Sequence, residues 1–367
     1  MMARLEEICA INMGQSPDSS TYNEDGNGLP FFQGNADFGE IYPAVRMWCS
    51  EPTKIAREKD ILISVRAPIG ALNIAKCECC IGRGLAALTV NEDICAQKYL
   101  WHALSGKVDE LNSKGTGSTF KAINKKTLSE TEIPLPPIDE QRKIAAILDK
   151  VSDLIAKRRQ QLDKLDEMVK ARFVEMFGDP QNNEKNWKMR MFKEICTVRQ
   201  GLQIPISKRL THFEENCYEY ITVAYLHGAK DKEYIKNPKS TVICTKDDVL
   251  MTRTGNTGMV ITNVAGVFHN NFFLIDFDRD KYIKEFLVEY LNLDLIQTEL
   301  KKRAGTSTIP DLNHSEFYKI AIYEPPMDLQ NQFSAFVNQT EKSKTTISRS
   351  LEKLETLKKA LMQEYFG

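Results

Sequence analysis

Two stretches of this chain combine basic, small and hydroxyl-bearing residues. Lys114-Gly115-Thr116-Gly117-Ser118-Thr119-Phe120-Lys121 precedes Asn124, and Arg303-Ala304-Gly305-Thr306-Ser307-Thr308-Ile309 precedes Asn313 at an offset of 189 residues. A cation, hydroxyls and the bare backbone N–H groups of a small-residue loop suit contact with phosphate oxygens. The same residues suit the cap and turn that end a helix, and both readings stay open. Arg66 and Arg253 lie just past two similar strand patterns, one residue out of register with each other. A guanidinium there can donate two hydrogen bonds to guanine O6 and N7. It can equally be an ordinary surface arginine. Gln33-Gly34-Asn35-Ala36-Asp37 and His269-Asn270-Asn271 are polar runs flanked by Phe31, Phe32 and Phe38, and by Phe268, Phe272 and Phe273. Amide side chains read adenine edges, and they also build turns.

These residues give one candidate set for nucleic-acid contact: Gln33, Asn35, Arg66, Lys114, Ser118, Thr119, Lys121, Arg253, Asn256, His269, Asn270, Asn271, Arg303, Ser307 and Thr308. Catalytic chemistry finds no comparable set. Thr254-Gly255-Asn256-Thr257-Gly258-Met259 lacks the Lys-Ser/Thr of a phosphate loop and reads as a turn between strands. No Asp/Asn-Pro-Pro-aromatic tetrapeptide is present, which argues against an amino-methyltransferase. The five histidines form no local motif with a nucleophile. Cys77-Glu78-Cys79-Cys80 is the one metal-like cluster, but zinc needs four suitably spaced ligands and no histidine lies near. Packing cysteines are the better reading. We therefore expect no catalytic, cofactor-binding or metal-binding residue in this chain.

Charge adds a constraint. The net charge is −1. Residues 1–135 hold 14 Lys/Arg against 17 Asp/Glu, and residues 185–322 hold 20 against 17. A nucleic-acid binder with so little excess charge must arrange its cations locally or borrow them from partners. Nine scattered cysteines point to a reducing, cytoplasmic setting. No apolar run approaches the length of a membrane span, and the N-terminus lacks the apolar core of a signal peptide.

The elements that position these residues come in duplicate. Pro136-Pro137-Ile138-Asp139-Glu140-Gln141 opens a long helical pattern that ends in Glu175-Met176-Phe177-Gly178. Pro325-Pro326-Met327-Asp328-Leu329-Gln330 opens a second that ends in Glu364-Tyr365-Phe366-Gly367, with the register unbroken at 189 residues. Leu5-Glu6-Glu7-Ile8-Cys9 also resembles Phe192-Lys193-Glu194-Ile195-Cys196, and Asp60–Ser64 resembles Asp248–Thr252. Strand-like alternation over residues 60–75 and 248–264, with short helices near 96–112 and 282–303, predicts two mainly β domains. The segmentation is 1–135 and 181–324 for the β domains, 136–180 and 325–367 for the helices. The first helix is predicted to start near Asp139 as N-cap and to stop at Gly178, roughly 58 Å of rod. Its apolar positions Ile144, Leu148, Val151, Ile155, Leu162, Leu165, Val169 and Met176 make a heptad seam. Phe333, Val337, Ile347, Leu351, Leu354, Leu361 and Tyr365 make the second, interrupted by Thr340, Lys344 and Lys358. Such seams need burial, so an antiparallel coiled coil within the chain is expected; pairing between chains is the alternative. The fold class is α+β with an internal pseudo-twofold.

The order variable–helix–variable–helix resembles the specificity subunits of type I restriction-modification systems. So does Ile133-Pro134-Leu135-Pro136-Pro137-Ile138-Asp139-Glu140-Gln141-Arg142-Lys143-Ile144, and the helix-ending Phe-Gly supports it. The resemblance covers essentially the whole chain. The second copy departs from it, with Tyr323-Glu324 before the prolines and Leu329 in place of Glu140. It implies that each variable domain reads one half of a bipartite, asymmetric site in double-stranded DNA. The helices would then set the spacing and dock two methyltransferase subunits, with restriction subunits joining through those. S-adenosylmethionine, ATP and Mg²⁺ would bind the partners. The competing reading is a scaffold with two ligand- or protein-binding β domains and no DNA.

Overall fold

The computed structural model describes residues 1–367 other than 118–120, 227, 229–230 and 306–309. Two compact units emerge: residues 1–159 with 349–367, and residues 160–348. Each joins one β-rich region to one half of each long helix, so compactness divides the chain differently from the four sequence segments.

In the first unit, Met2–Arg4 pairs antiparallel with Glu132–Pro134. A four-stranded antiparallel sheet follows in the order Cys9–Met13, Leu85–Val90, Ile61–Ser64, Leu72–Ile74. Ile61–Ser64 is buried throughout because the sheet is covered on both faces. Ile61, Ile63, Ala86 and Leu88 face a core shared with the helices. Leu62, Leu85 and Ala87 face the second sheet. That sheet has the order Tyr22–Asn23, Trp48–Cys49, Leu29–Phe32, Cys79–Ile81, Ile55–Ala56. Its one parallel pairing sets Phe31 opposite Cys80 and Phe32 opposite Ile81.

The second unit repeats this plan. Lys188–Met191 pairs with Ala321–Glu324. The first sheet runs Cys196–Gln200, Phe272–Phe277, Val249–Thr252, Val260–Ile261. The second runs Tyr234–Lys236, Cys217–Ile221, Gly266–Phe268, Ile243–Cys244, and again its parallel pairing sets Tyr220 and Ile221 opposite Val267 and Phe268. Gly14 and Gly201 hold equivalent crossings. A Cβ at either would lie 2.2 Å from a backbone carbonyl oxygen, of Gly82 and His269 respectively, so no side chain fits. The short helical regions are each broken in two: Gln97–Gly106 and Val108–Ser113, then Lys284–Asn292 and Asp294–Ala304.

The long helices span Ile138–Phe177 and Met327–Phe366, 40 residues each. The first starts at Ile138, one residue earlier than the expected start near Asp139. Pro137 and Pro326 carbonyls accept the first amides, from Glu140 and Gln141 and from Leu329 and Gln330. Asp139 is therefore in the first turn, where its charge meets the positive end of the helix dipole, and is not the cap. Gly178 ends the first helix at φ +81°, a left-handed conformation that favours glycine.

Within the first unit, Ile144, Leu148, Val151 and Ile155 are buried, while Leu351, Leu354 and Leu361 are partly covered. Met362 and Phe366 lie against Gly106, and Arg159 pairs with Glu355 at 2.7 Å. Start of the first helix thus meets end of the second, an antiparallel arrangement. In the second unit, Val169 and Phe333 are buried, and Leu162, Leu165, Val337 and Ile347 are partly covered. Phe173, Phe177, Phe286 and Phe333 make a ring cluster with centroids 4.8–5.4 Å apart. Two of the polar positions of the second helix have side-chain partners. Thr340 donates to the Phe336 carbonyl, and Lys344 pairs with Asp166 and Glu341 at 2.6 Å.

Candidate nucleic-acid interface

In the first unit the parallel pairing of residues 31–32 with 80–81 leaves two chain crossings side by side, and a pocket of about 370 Å³ opens between them. Gln33, Asn35 and Arg66, all expected from sequence, line it together with Arg46, Arg83 and Asp37. Asp37 accepts the Gln33 and Gly34 amides through Oδ2 at 2.8 and 3.4 Å, which fixes the turn. Arg46, Arg66 and Arg83 are exposed, and among the described residues none forms an ion pair with a carboxylate. Three guanidinium groups against one carboxylate give this pocket the local positive charge that the whole chain lacks. Sequence reasoning missed Arg46 and Arg83. They lie far from Arg66 along the chain, and only strand pairing brings them to it.

Backbone hydrogen bonds give the matching positions in the second unit. Gly82 N–H donates to Phe32 O, as His269 N–H does to Ile221 O; Val65 N–H donates to Gly84 O, as Arg253 N–H does to Asn271 O. His269-Asn270-Asn271 therefore stands where the first unit has Gly82-Arg83-Gly84. By the same logic Lys232 stands at the place of Arg46, and Thr254 at that of Arg66. Lys232 is paired with Glu219. Arg253 is engaged as well: it donates to Asp311 at 2.8 and 2.6 Å and to Gln200 at 2.9 Å. Its fork is filled by the protein's own acceptors, so it is not presented as a free base reader. His269 is half-buried. Burial and the neighbouring Arg209 hold its imidazole below the usual range, so it is neutral at pH 7. Its Nδ1 accepts the Asn271 amide at 3.1 Å. Asn270 donates to Gln203 at 3.4 Å, while its Oδ1 is buried without a partner among the described residues. Asn256 is exposed on its turn.

The two basic loops are placed less uniformly. Lys114 pairs with Glu110 at 2.6 Å, and Arg303 with Glu299 at 2.6 and 2.9 Å and Glu316 at 3.4 Å. Lys121 is exposed. Ser118, Thr119, Ser307 and Thr308 lie outside the described residues. The cysteine cluster is split: Cys77 is exposed, whereas Cys79 and Cys80 are buried in strands. Burial pushes the Cys79 thiol up to about 12. Among the described residues no group of three or more His, Cys, Asp or Glu could hold a metal ion. Among them also, no helix is long and apolar enough to cross a membrane.

Comparison with known proteins adds to this geometry. The chain is 44% identical over 165 residues to a Methanocaldococcus jannaschii protein provisionally named the type I restriction enzyme MjaX specificity subunit. That alignment covers 45% of this chain and 39% of the relative, well under its full length. Identity to the type I restriction enzyme MjaIX specificity subunit of the same organism is 26% over 309 residues, covering 76% of this chain and 69% of the relative. The fold is similar to the crystal structure of a type I restriction-modification S subunit from M. genitalium, with a TM-score of 0.65 at 15% identity, covering 100% of this chain and 96% of that one. The profile of the type I restriction modification DNA specificity domain matches residues 1–166 and 184–358. It takes in both copies of the repeat and nearly all of the paired strands described above, and so this chain belongs to that family.

Proposed function

We propose that this chain is the DNA sequence-specificity subunit of a type I restriction-modification complex. Each unit reads one half of a bipartite, asymmetric site in double-stranded DNA. The long helices pair as an antiparallel coiled coil, set the spacing and dock two methyltransferase subunits. Restriction subunits join through those, and S-adenosylmethionine, ATP and Mg²⁺ are held by the partners. The observation that carries this reading is one topology used twice with different chemistry at matched positions. Arg46, Arg66 and Arg83 in one unit answer to Lys232, Thr254 and Asn270 in the other. A symmetric frame with unlike reading surfaces suits a site made of two unlike halves. Contacts of the candidate set sort by type: exposed Lys121 suits phosphate, while Gln33, Asn35, Arg66, Asn256, His269, Asn270 and Asn271 suit base edges.

Co-expression with the methyltransferase subunits, read by methylation-aware sequencing, tests the reading. The expected product is adenine methylation at a two-part motif. Replacing residues 185–322 with the corresponding region of another family member should change one half of that motif and leave the other. An intact, well-expressed complex that leaves the genome unmodified refutes the assignment. Flat DNA affinity between about 50 and 200 mM salt would instead favour a scaffold without DNA.

A further inference from the structure

The pocket of the first unit offers more than positive charge. Gln33, Asn35, Asp37, Arg46, Arg66 and Arg83 converge on one opening. Three exposed cations held together without an ion-paired carboxylate repel one another, an arrangement suited to a ligand rich in acceptors. Elsewhere in the chain Arg190, Arg209, Arg253 and Arg303 are each closed by a glutamate or aspartate. A phosphate is acceptor-only, so it leaves the Asp37 carboxylate facing like charge. The major-groove edge of a G·C pair presents both characters: acceptors on guanine and an amino donor on cytosine. The position of Arg83 is also fixed in advance. Gly82 N–H donates to Phe32 O at 2.8 Å, Gly84 N–H to Gln33 O at 3.2 Å, and Arg83 N–H to Ser16 Oγ at 3.3 Å. A Cβ at Gly84 would lie 2.5 Å from Gln33 O, so this turn sits too close to its neighbour to shift. A fixed backbone anchor narrows the positions the exposed Arg83 fork can reach, which favours selective recognition.

Resting on the specificity-subunit reading above, we infer that the unit of residues 1–159 and 349–367 reads a G·C base pair, with Arg83 donating bidentately to guanine and Asp37 facing the cytosine amino group. The second unit carries Asn270 where Arg83 stands, so its half-site is read without that contact.

The test uses the whole chain assembled with its methyltransferase subunits, with binding selected from randomised duplexes. Arg83→Gln should lower the preference for one guanine in one half-site by about tenfold or more and leave the other half-site intact. Arg83→Lys should behave alike, because an ammonium lacks the planar fork. In the unaltered complex, 7-deazaguanine at that position should reproduce the loss. A uniform fall in affinity across all sequences, rescued by Arg83→Lys and accompanied by a salt slope smaller by about one, marks a phosphate clamp and overturns the inference. So does a full preference retained with 7-deazaguanine. A complex that methylates a two-part site with no G·C pair in either half overturns it while leaving the subunit assignment standing; an unaltered complex without sequence preference overturns both.

Discussion

Glu289 is a carboxylate that the fold opposes. It lies on the helix Lys284–Asn292, in a cleft of about 680 Å³ that also holds Asp166, Lys170 and Lys344. Its Oε1 is buried without a hydrogen-bond partner among the described residues. Burial raises its pKa; Asp166 adds to the rise, and Lys170 and Lys344 only partly oppose it. A carboxyl with a raised folded pKa favours folding while protonated. That contribution is present below the unfolded value and is lost as pH rises through the folded one. Glu289→Gln should therefore raise the melting temperature at about pH 7.5, with the gain shrinking as pH falls toward about 4, where the unfolded carboxyl also protonates. A gain that does not change with pH would show that packing, not charge, is responsible. The matched amides of Ala96 and Ile283 place His102 at the equivalent position of the first unit, where its Nε2 lies 2.8 Å from Asp149 Oδ1. Two copies of one helix position thus carry titratable groups of opposite kind, and the sequence repeat alone hides this because the register there is offset by 187 residues rather than 189.

The long helices owe their anchoring to a pair of buried glutamines. Gln141 donates to the Ile94 and Pro136 carbonyls at 3.1 and 2.8 Å and accepts the Ala96 amide at 2.9 Å. Gln330 donates to Lys281 and Pro325 carbonyls at 2.8 and 2.9 Å and accepts the Ile283 amide at 2.9 Å. Both are fully buried. Each side chain ties the start of a long helix to the start of a short one. Gln141→Leu strands one buried amide and two carbonyls, at about 1–3 kcal/mol for each group left unsatisfied. We expect a loss of about 3 kcal/mol or more in denaturant unfolding, and a similar loss for Gln330→Leu. A loss under about 1 kcal/mol would mean that water replaces the bonds. This explains why the proline–glutamine segment was so legible in the sequence: its residues are fixed by local hydrogen bonding and helix initiation, which leave a short-range signature. The helices themselves were legible for the same reason, since their apolar spacing is set within the element. The second sheet of each unit was not. Its two-to-five-residue strands diverge between copies, and Phe31–Phe32 meets Cys80–Ile81 only through a parallel pairing across about 50 residues. Arg46 and Arg83 inherit that obscurity, and Arg253 illustrates the converse: its place after a strand was plain, but its partner Asp311 lies 58 residues away.

Each unit needs both long helices, and each helix serves both units. Folding is therefore coupled along the whole chain, and under the proposed function the near-zero net charge would leave much of the attraction for DNA to partner subunits. Under the proposed function, helix length is a functional quantity. A single inserted turn in one helix would shift every later seam residue against its neighbour and mainly test stability. The informative change is made in both: four residues after Ile155 and four after Lys358, positions that line the same cleft of the first unit. The matched insertion keeps the antiparallel register on either side and adds roughly 6 Å of helix. At about 3.4 Å per base-pair step this corresponds to roughly two base pairs. The spacer of the methylated motif should lengthen by about that amount, with the bases of both halves unchanged. The reverse deletion should shorten it. A well-folded variant that methylates the original spacing removes the helices from any measuring role, whereas one that keeps the spacing but changes the bases would place sequence reading in the helices rather than in the sheets.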